Sequence, residues 1–354
     1  MRVSIVAFTL RGLSLASELT QALGPSFTEV RVAAPARLVA EEGVEGFDSL
    51  SSWAETTFAN SDALVFVSAC GIAVRAIAPH VRDKLTDPAV VCVDERGRFA
   101  ISLLSGHVGG ANDLARQIAA RTGGEAVITT ATDVERVFSV DAWAAEHDLA
   151  ILDRDLIKRV SATLLEGGCV GFTCDVPCDG DVPAGLIVGS EAFAYDVGIS
   201  VSLNTEKRPF DTTLRLAPRT VVVGIGCKRG TSLERIYALV SACLAEAQVA
   251  SESVCALATI DIKADEEGIQ TLGEHFGVPV RLYAAHELRA VEGTFASSDF
   301  VLQTVGVDNV CERAACAGGG TLLVSRRRAE GVTVALATET ARVTFGSEAE
   351  AKEA

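Results

Sequence analysis

Short apolar runs alternate along this chain with stretches in which apolar residues recur every three or four positions, the signature of strands alternating with amphipathic helices. Val3 to Phe8 predicts a first strand. Leu13 to Leu23 predicts a helix stopped by Gly24-Pro25, and Val30 to Ala33 a second strand. Residues 35 to 50 mix glycines with charges and read as a loop, followed by a short helix through Trp53 and Phe58. Ala63 to Val67 predicts a buried strand that turns through Ser68 to Gly71 into a helix carrying Arg75. Val90 to Val93 and Phe99 to Leu104 flank Asp94-Glu95-Arg96-Gly97, a hairpin signal. A helix with Ala111, Leu114, Ala115, Ile118 and Ala119 on one face ends at Gly123-Gly124, and Ala126 to Thr130 predicts another strand.

A different texture follows. After a helix from Phe138 to Glu146, residues to about 215 are rich in Gly, Cys and Pro and carry little periodic signal. From Thr220 a new unit begins: a strand, a glycine turn at Gly224-Ile225-Gly226, a helix to about Ala247, then strands at Val254 to Ile260 and Val280 to Tyr283. Leu322 to Ser325 and Val332 to Leu336 predict a hairpin around Arg326-Arg327-Arg328. The expected architecture is α/β and multi-domain, with mainly parallel sheets flanked by helices and a separate C-terminal α/β domain. The expected divisions are 1–136, a middle region 137–218, the C-terminal domain 219–345 and a charged tail 346–354.

The candidate chemistry centres on Ser105-Gly106-His107-Val108-Gly109-Gly110-Ala111-Asn112-Asp113, a strand-to-helix turn. Its glycines let the backbone approach a ligand, and free N–H groups gather at a helix start. His107 adds a group that donates, accepts or ionises near neutral pH. Asp133 follows a strand end beside Thr129, Thr130 and Thr132; its plain structural role would be to cap the helix starting near Phe138.

Composition narrows the partners. Lys and Arg number 31 against 47 Asp and Glu, a net charge of −16, which argues against nucleic acid. No apolar stretch reaches the ~18 residues of a membrane span, and no export signal is evident, so a cytoplasmic location is expected. The 10 cysteines read as free thiols, and Cys174 and Cys178 lack the second close-spaced pair a structural zinc would need, so no metal site is expected. Gly224-Ile225-Gly226 departs from the dinucleotide fingerprint: Gly230 falls one place late and Asp261 too far downstream. With Lys228 and Arg229 the turn reads instead as an anion seat. No Ser-His-Asp order stands out, and a Gly-x-Ser-x-Gly elbow is absent.

Taken together, these motifs resemble the cobalt-precorrin-5A hydrolase family of anaerobic cobalamin biosynthesis. The resemblance rests on Gly71 to Arg75, Asp83-Lys84, Asp87 to Val90, Leu103 to Asp113 and Ile128 to Asp133, then on Val223 to Ser232, Asp261 to Glu266 and Val305 to Ala315. It implies opening of a δ-lactone on a corrinoid, with loss of two carbons as acetaldehyde. Cobalt would arrive on the substrate and water would be co-substrate, so no cofactor is expected. Either His107 or Asp133 is the expected general base. N–H groups of Gly109 and Gly110 would stabilise the oxyanion. Arg75, Lys84, Lys228, Arg229, Lys263 and Arg313 would hold the substrate's carboxylates, with Ser105, Asn112, Thr130 and Gly226 completing the substrate-binding set. A homodimer is one assembly compatible with this reading. Two rivals remain: a corrinoid carrier without chemistry, and, more weakly, a nucleotide-dependent oxidoreductase.

Overall fold

In the computed structural model, which describes residues 1–24, 27–39, 43–84, 86–135 and 137–346, the chain divides into two compact units, Met1–Ala142 and Trp143–Ala354. The boundary expected at 136 compares with 142 here, and the expected middle region and C-terminal domain fall in one unit. Pro25 and residues 347–354, most of the expected tail, lie outside the described residues.

The first unit runs β1 (Arg2–Ala7), α1 (Leu10–Leu23), β2 (Glu29–Pro35), β3 (Val44–Phe47), α2 (Leu50–Asn60), β4 (Ala63–Val67), α3 (Cys70–Ile77), β5 (Ala89–Val93), β6 (Phe99–Leu104), α4 (Ala111–Thr122), β7 (Glu125–Val127) and α5 (Ala131–Val134), with α6 (Val140–Glu146) crossing into the second. Its seven strands form one sheet in the order β3-β2-β1-β4-β5-β6-β7. β3 lies inside the stretch expected to be a loop; it is a half-exposed edge strand, too short and polar to show a period. β7 stops at Val127, so Ile128 to Thr130 leave the sheet earlier than expected.

β1 to β5 are parallel, but β6 pairs antiparallel with β5 across the Asp94–Gly97 turn, and β7 runs with β6. The carboxyl ends of β6 and β7 therefore lie at the edge where β5 begins, with Leu104 opposite Val90. Apolar side chains on the two faces pack against α1 and α4 on one side and α2 and α3 on the other. Leu114, Ala115 and Ile118 of α4 are buried as their spacing predicts, each large side chain contributing about 1.5–3 kcal/mol.

The second unit contains β8 (Leu149–Ile151), α7 (Ile157–Leu165), β9 (Val170–Cys174), β10 (Cys178–Gly180), β11 (Leu186–Ile187), β12 (Val197–Val201), β13 (Thr212–Pro218), β14 (Val221–Cys227), α8 (Leu233–Glu246), β15 (Val254–Ile260), α9 (Glu267–Phe276), β16 (Val280–Tyr283), α10 (Ala285–Ala290), α11 (Asp299–Val305), α12 (Cys311–Cys316), β17 (Thr321–Ala329), β18 (Val332–Thr338) and β19 (Val343–Phe345). The texture-poor middle region is a sheet, β11-β9-β12-β13-β8, and the C-terminal residues form another, β16-β15-β14-β18-β17. β19 returns to pair with β10, and Phe345 stacks on Trp143, so the expected tail begins one residue after a built strand. Arg326 to Arg328 lie within β17, and the hairpin turns instead at Glu330-Gly331, both at positive φ. Gly224 and Gly226 likewise belong to β14 rather than to the turn after it.

Candidate active site

The turn after β6 is held by its own backbone. Ala111 N–H donates to the Ser105 carbonyl at 3.1 Å, Asn112 N–H to Gly106 at 3.0 Å and Gly110 N–H to His107 at 2.9 Å. Ser105 takes φ +55° and Gly110 φ +82°, turning the chain into α4. A Cβ at Gly109 would sit 2.4 Å from Ser105 Cβ, and one at Gly106 would sit 2.7 Å from Asn112 Oδ1. Both positions demand glycine for this packing. The bond from Gly110 N–H to His107 corrects the expectation that it faces a substrate oxyanion: that donor is used in closing the turn. The N–H of Gly109 has no acceptor among the described residues. Ser105 Oγ is buried without a partner among the described residues, closed off from a ligand.

Because β6 and β7 run together, the segments after them meet. His107 Nε2 lies 2.5 Å from Asp133 Oδ2. The Asp133 carboxylate also accepts from Asn112 Nδ2 at 2.9 Å and from the Arg116 guanidinium at 2.8 Å. Asn112, almost fully buried, reaches Thr130 Oγ1 at 3.4 Å as well. With three donors on it and a place inside α5, Asp133 orients His107 and does not cap the later helix. Arg116 is shared with Asp113 at 2.6 Å; burial opposes its charge, but the two carboxylates outweigh that and raise its pKa above the ordinary value.

The other ring nitrogen has a separate arm. Ser139 Oγ lies 3.2 Å from His107 Nδ1 and donates to Asp141 Oδ1 at 2.8 Å, while Lys84 Nζ donates to Asp141 Oδ2 at 2.6 Å. Burial pushes the Asp141 carboxyl up, but hydrogen bonds from Lys84 and Ser139 and the Lys84 charge more than offset it, leaving the pKa below the usual carboxylate range. Gly106, His107, Asn112, Asp113, Arg116, Thr132, Asp133, Val137, Ser139 and Ala142 line a cavity of about 330 Å³ here. Lys84 is thus placed beside this site, committed to Asp141. Arg116, Ser139 and Asp141 escaped the sequence reading. The polar Ser139-Val140-Asp141 start of a helix was the signal available.

Arg75 is elsewhere. α3 begins at the carboxyl end of β4, the opposite sheet edge from His107, and Arg75 donates back to the Gly71 carbonyl at 2.9 Å. In the second unit, Gly226 lies in β14 with its carbonyl held by Thr333 at 3.1 Å. Lys228 is exposed, its stem over Gly331, and Arg229 pairs with Asp265 at the surface. Lys263 is bound to Glu266 at 2.7 Å, and Glu266 also accepts from Gly230 N–H at 2.9 Å. A carboxylate of the protein itself therefore occupies the expected anion seat. Burial raises the Glu266 carboxyl, but Lys263 and the Gly230 amide outweigh this and lower its pKa. Arg313 spends its donors on Asp308 at 2.8 Å and on the carbonyls of Leu288, Arg289 and Val291, with its guanidinium over the Phe295 ring. That is the pattern of a side chain bracing its own loops.

A mixed α/β fold that holds a histidine against an aspartate in a cavity is an arrangement able to carry acid–base chemistry. Residues 52–133, which include both His107 and Asp133, match the cobalamin synthesis G N-terminal domain, and 221–337 match the cobalamin synthesis G C-terminus. The chain is 35% identical over 348 residues to cobalt-precorrin-5A hydrolase of Salmonella typhimurium, covering 94% of this chain and 97% of that protein. It is 29% identical over 352 residues to the enzyme of the same name from Priestia megaterium, covering 94% of each. A structure of a putative cobalamin biosynthesis protein G homolog from Sulfolobus solfataricus aligns with 95% of this chain and 96% of that one, at 22% identity and a TM-score of 0.42. The chain belongs to the cobalamin synthesis G family, as its motifs suggested. No helix among the described residues is long and apolar enough to cross a membrane.

Proposed function

We propose that this protein is a cobalt-precorrin-5A hydrolase, opening the ring A δ-lactone of its substrate and releasing the C20 two-carbon unit as acetaldehyde to give cobalt-precorrin-5B. The observation that carries this reading is the His107–Asp133 contact in the cavity, within the segment that matches the family. His107 moves the proton and Asp133 holds its ring, because Asp133 already accepts three hydrogen bonds while the second nitrogen of His107 faces the Ser139 hydroxyl and, further off, Asp141. Nucleophilic attack on the lactone carbonyl gives a tetrahedral oxyanion, and the Gly109 N–H is the backbone donor left for it. Collapse frees the alkoxide, whose carbon–carbon bond then breaks.

Cobalt arrives with the substrate in this account, and water is the co-substrate, so no step draws on a resident cofactor. Lys228, exposed and without the carboxylate partner that Arg229 has in Asp265, serves a carboxylate of the substrate. The reaction is placed in the cytoplasm, and the homodimer is tested by light scattering. Purified protein mixed with enzymatically prepared cobalt-precorrin-5A should release one acetaldehyde per corrinoid. Tight binding with no aldehyde would make the protein a carrier instead.

A further inference from the structure

The geometry points to Ser139 as the nucleophile that His107 activates, so that the lactone is opened through an ester between the substrate's acyl group and Ser139. The identity of that acyl group rests on the hydrolase reading above; the activated serine does not.

Nucleophile, base and orienting acid stand in line. Asp133 holds Nε2 of His107 at 2.5 Å, and the hydroxyl on the opposite nitrogen, at 3.2 Å, is Ser139. Ser139 is partly exposed and lines the cavity. Thr132 Oγ1 also lies 3.2 Å from the ring, but on Nε2, which Asp133 already holds at the shorter distance. A water acting as the first nucleophile would have to displace Ser139 from Nδ1. Asp141 completes the arrangement. It lies 3.8 Å from Nδ1, so the imidazolium formed when His107 takes a proton has a carboxylate facing each nitrogen. Lys84 balances the Asp141 charge from the far side.

The step balances without an oxidant or reductant. Ser139 Oγ turns its proton from Asp141 Oδ1, where it rests at 2.8 Å, towards Nδ1, and bonds to the lactone carbonyl carbon as that proton passes to Nδ1. The ring C–O bond breaks, and the freed alkoxide takes that proton. Water then attacks the ester carbonyl and gives its proton to Nδ1. The Ser139 oxygen leaves and recovers the proton, with one water consumed overall.

Two readouts test this. A fluorophosphonate probe, which phosphorylates an activated serine with loss of fluoride, should label wild-type protein at Ser139 by peptide mass, and should not label Ser139→Ala or His107→Gln. Ser139→Ala should lower turnover of cobalt-precorrin-5A roughly 10³-fold or more at unchanged melting temperature. Ser139→Cys, which keeps a nucleophile, should retain an acyl adduct by intact mass after acid quench. Labelling of Ser139 without any wild-type turnover leaves the nucleophile standing and removes the substrate reading. Turnover by Ser139→Ala within about tenfold of wild type removes the nucleophile and leaves the hydrolase. Wild type showing neither label nor adduct at Ser139 also overturns the proposal, even if Ser139→Ala is inactive.

Discussion

Asp133→Asn replaces one carboxylate oxygen by an NH₂ while keeping the shape of the side chain. In the native protein that carboxylate accepts from His107 at 2.5 Å, Asn112 at 2.9 Å and Arg116 at 2.8 Å. An amide cannot accept from all three. If its NH₂ faces Nε2, that nitrogen must carry the lone pair, which puts the ring proton on Nδ1 and leaves His107 unable to accept a proton there. If its oxygen faces Nε2, the NH₂ meets the guanidinium of Arg116. Either way the negative charge at Nε2 is gone, leaving an imidazolium only Asp141, 3.8 Å from Nδ1. A charge-assisted hydrogen bond contributes about 1.5–3 kcal/mol to stability, and the half-exposed Arg116 places its share at the low end of that range. The kinetic cost is larger, because tautomer and charge act on the transition state: kcat should fall roughly 10³- to 10⁴-fold with KM little changed. The assay is acetaldehyde release, with melting temperature as a control. Combined with His107→Ala, the loss should be far from additive, since the two residues act as one unit. An Asp133→Asn enzyme within about tenfold of wild type would refute this reasoning.

Gly109→Ala should destabilise by about 1–3 kcal/mol or more, read by denaturant unfolding, because the new methyl would lie 2.4 Å from Ser105 Cβ. Asp141, with its pKa lowered, contributes stability that is present above the unfolded carboxyl value near ~3.9 and lost as pH falls through the lower native value. Asp141→Asn should therefore flatten the acid limb of a melting-temperature profile, and an unchanged limb would place the acid sensitivity elsewhere. Arg313→Ala should cost about 1.5–3 kcal/mol of stability while leaving KM near wild type, since its donors hold Asp308 and loop carbonyls. Lys228→Ala should do the reverse, raising KM in a salt-dependent way with no change in melting temperature.

The sheet of the first unit was legible because buried strands such as Ala63–Val67 are continuous apolar runs between periodic helices. The hairpin at Asp94–Gly97 was legible too, but its consequence is geometric: reversing β6 moves His107 to the opposite edge from Arg75, which no linear spacing displays. His107 and Asp133 stood out from the glycine-flanked turn and the strand end. Arg116, Ser139 and Asp141 did not, because a helix-face arginine and a Ser-x-Asp helix start look the same in sequence whether or not a histidine lies between them. The cationic set was over-read for a related reason. Lys84, Lys263 and Arg313 appear as bare charges in a sequence, and only folding shows each bound to Asp141, Glu266 or Asp308. The middle sheet escaped because its strands are as short as Leu186–Ile187 and interrupted by glycine and proline.

The most direct test of the account compares wild type and His107→Ala under single turnover with cobalt-precorrin-5A, following corrinoid binding and acetaldehyde together. Both proteins should bind, and only wild type should release aldehyde on that timescale, one per corrinoid, with a corrinoid product of correspondingly lower mass. Equal aldehyde from the two proteins would contradict the assignment of the chemistry to this cavity.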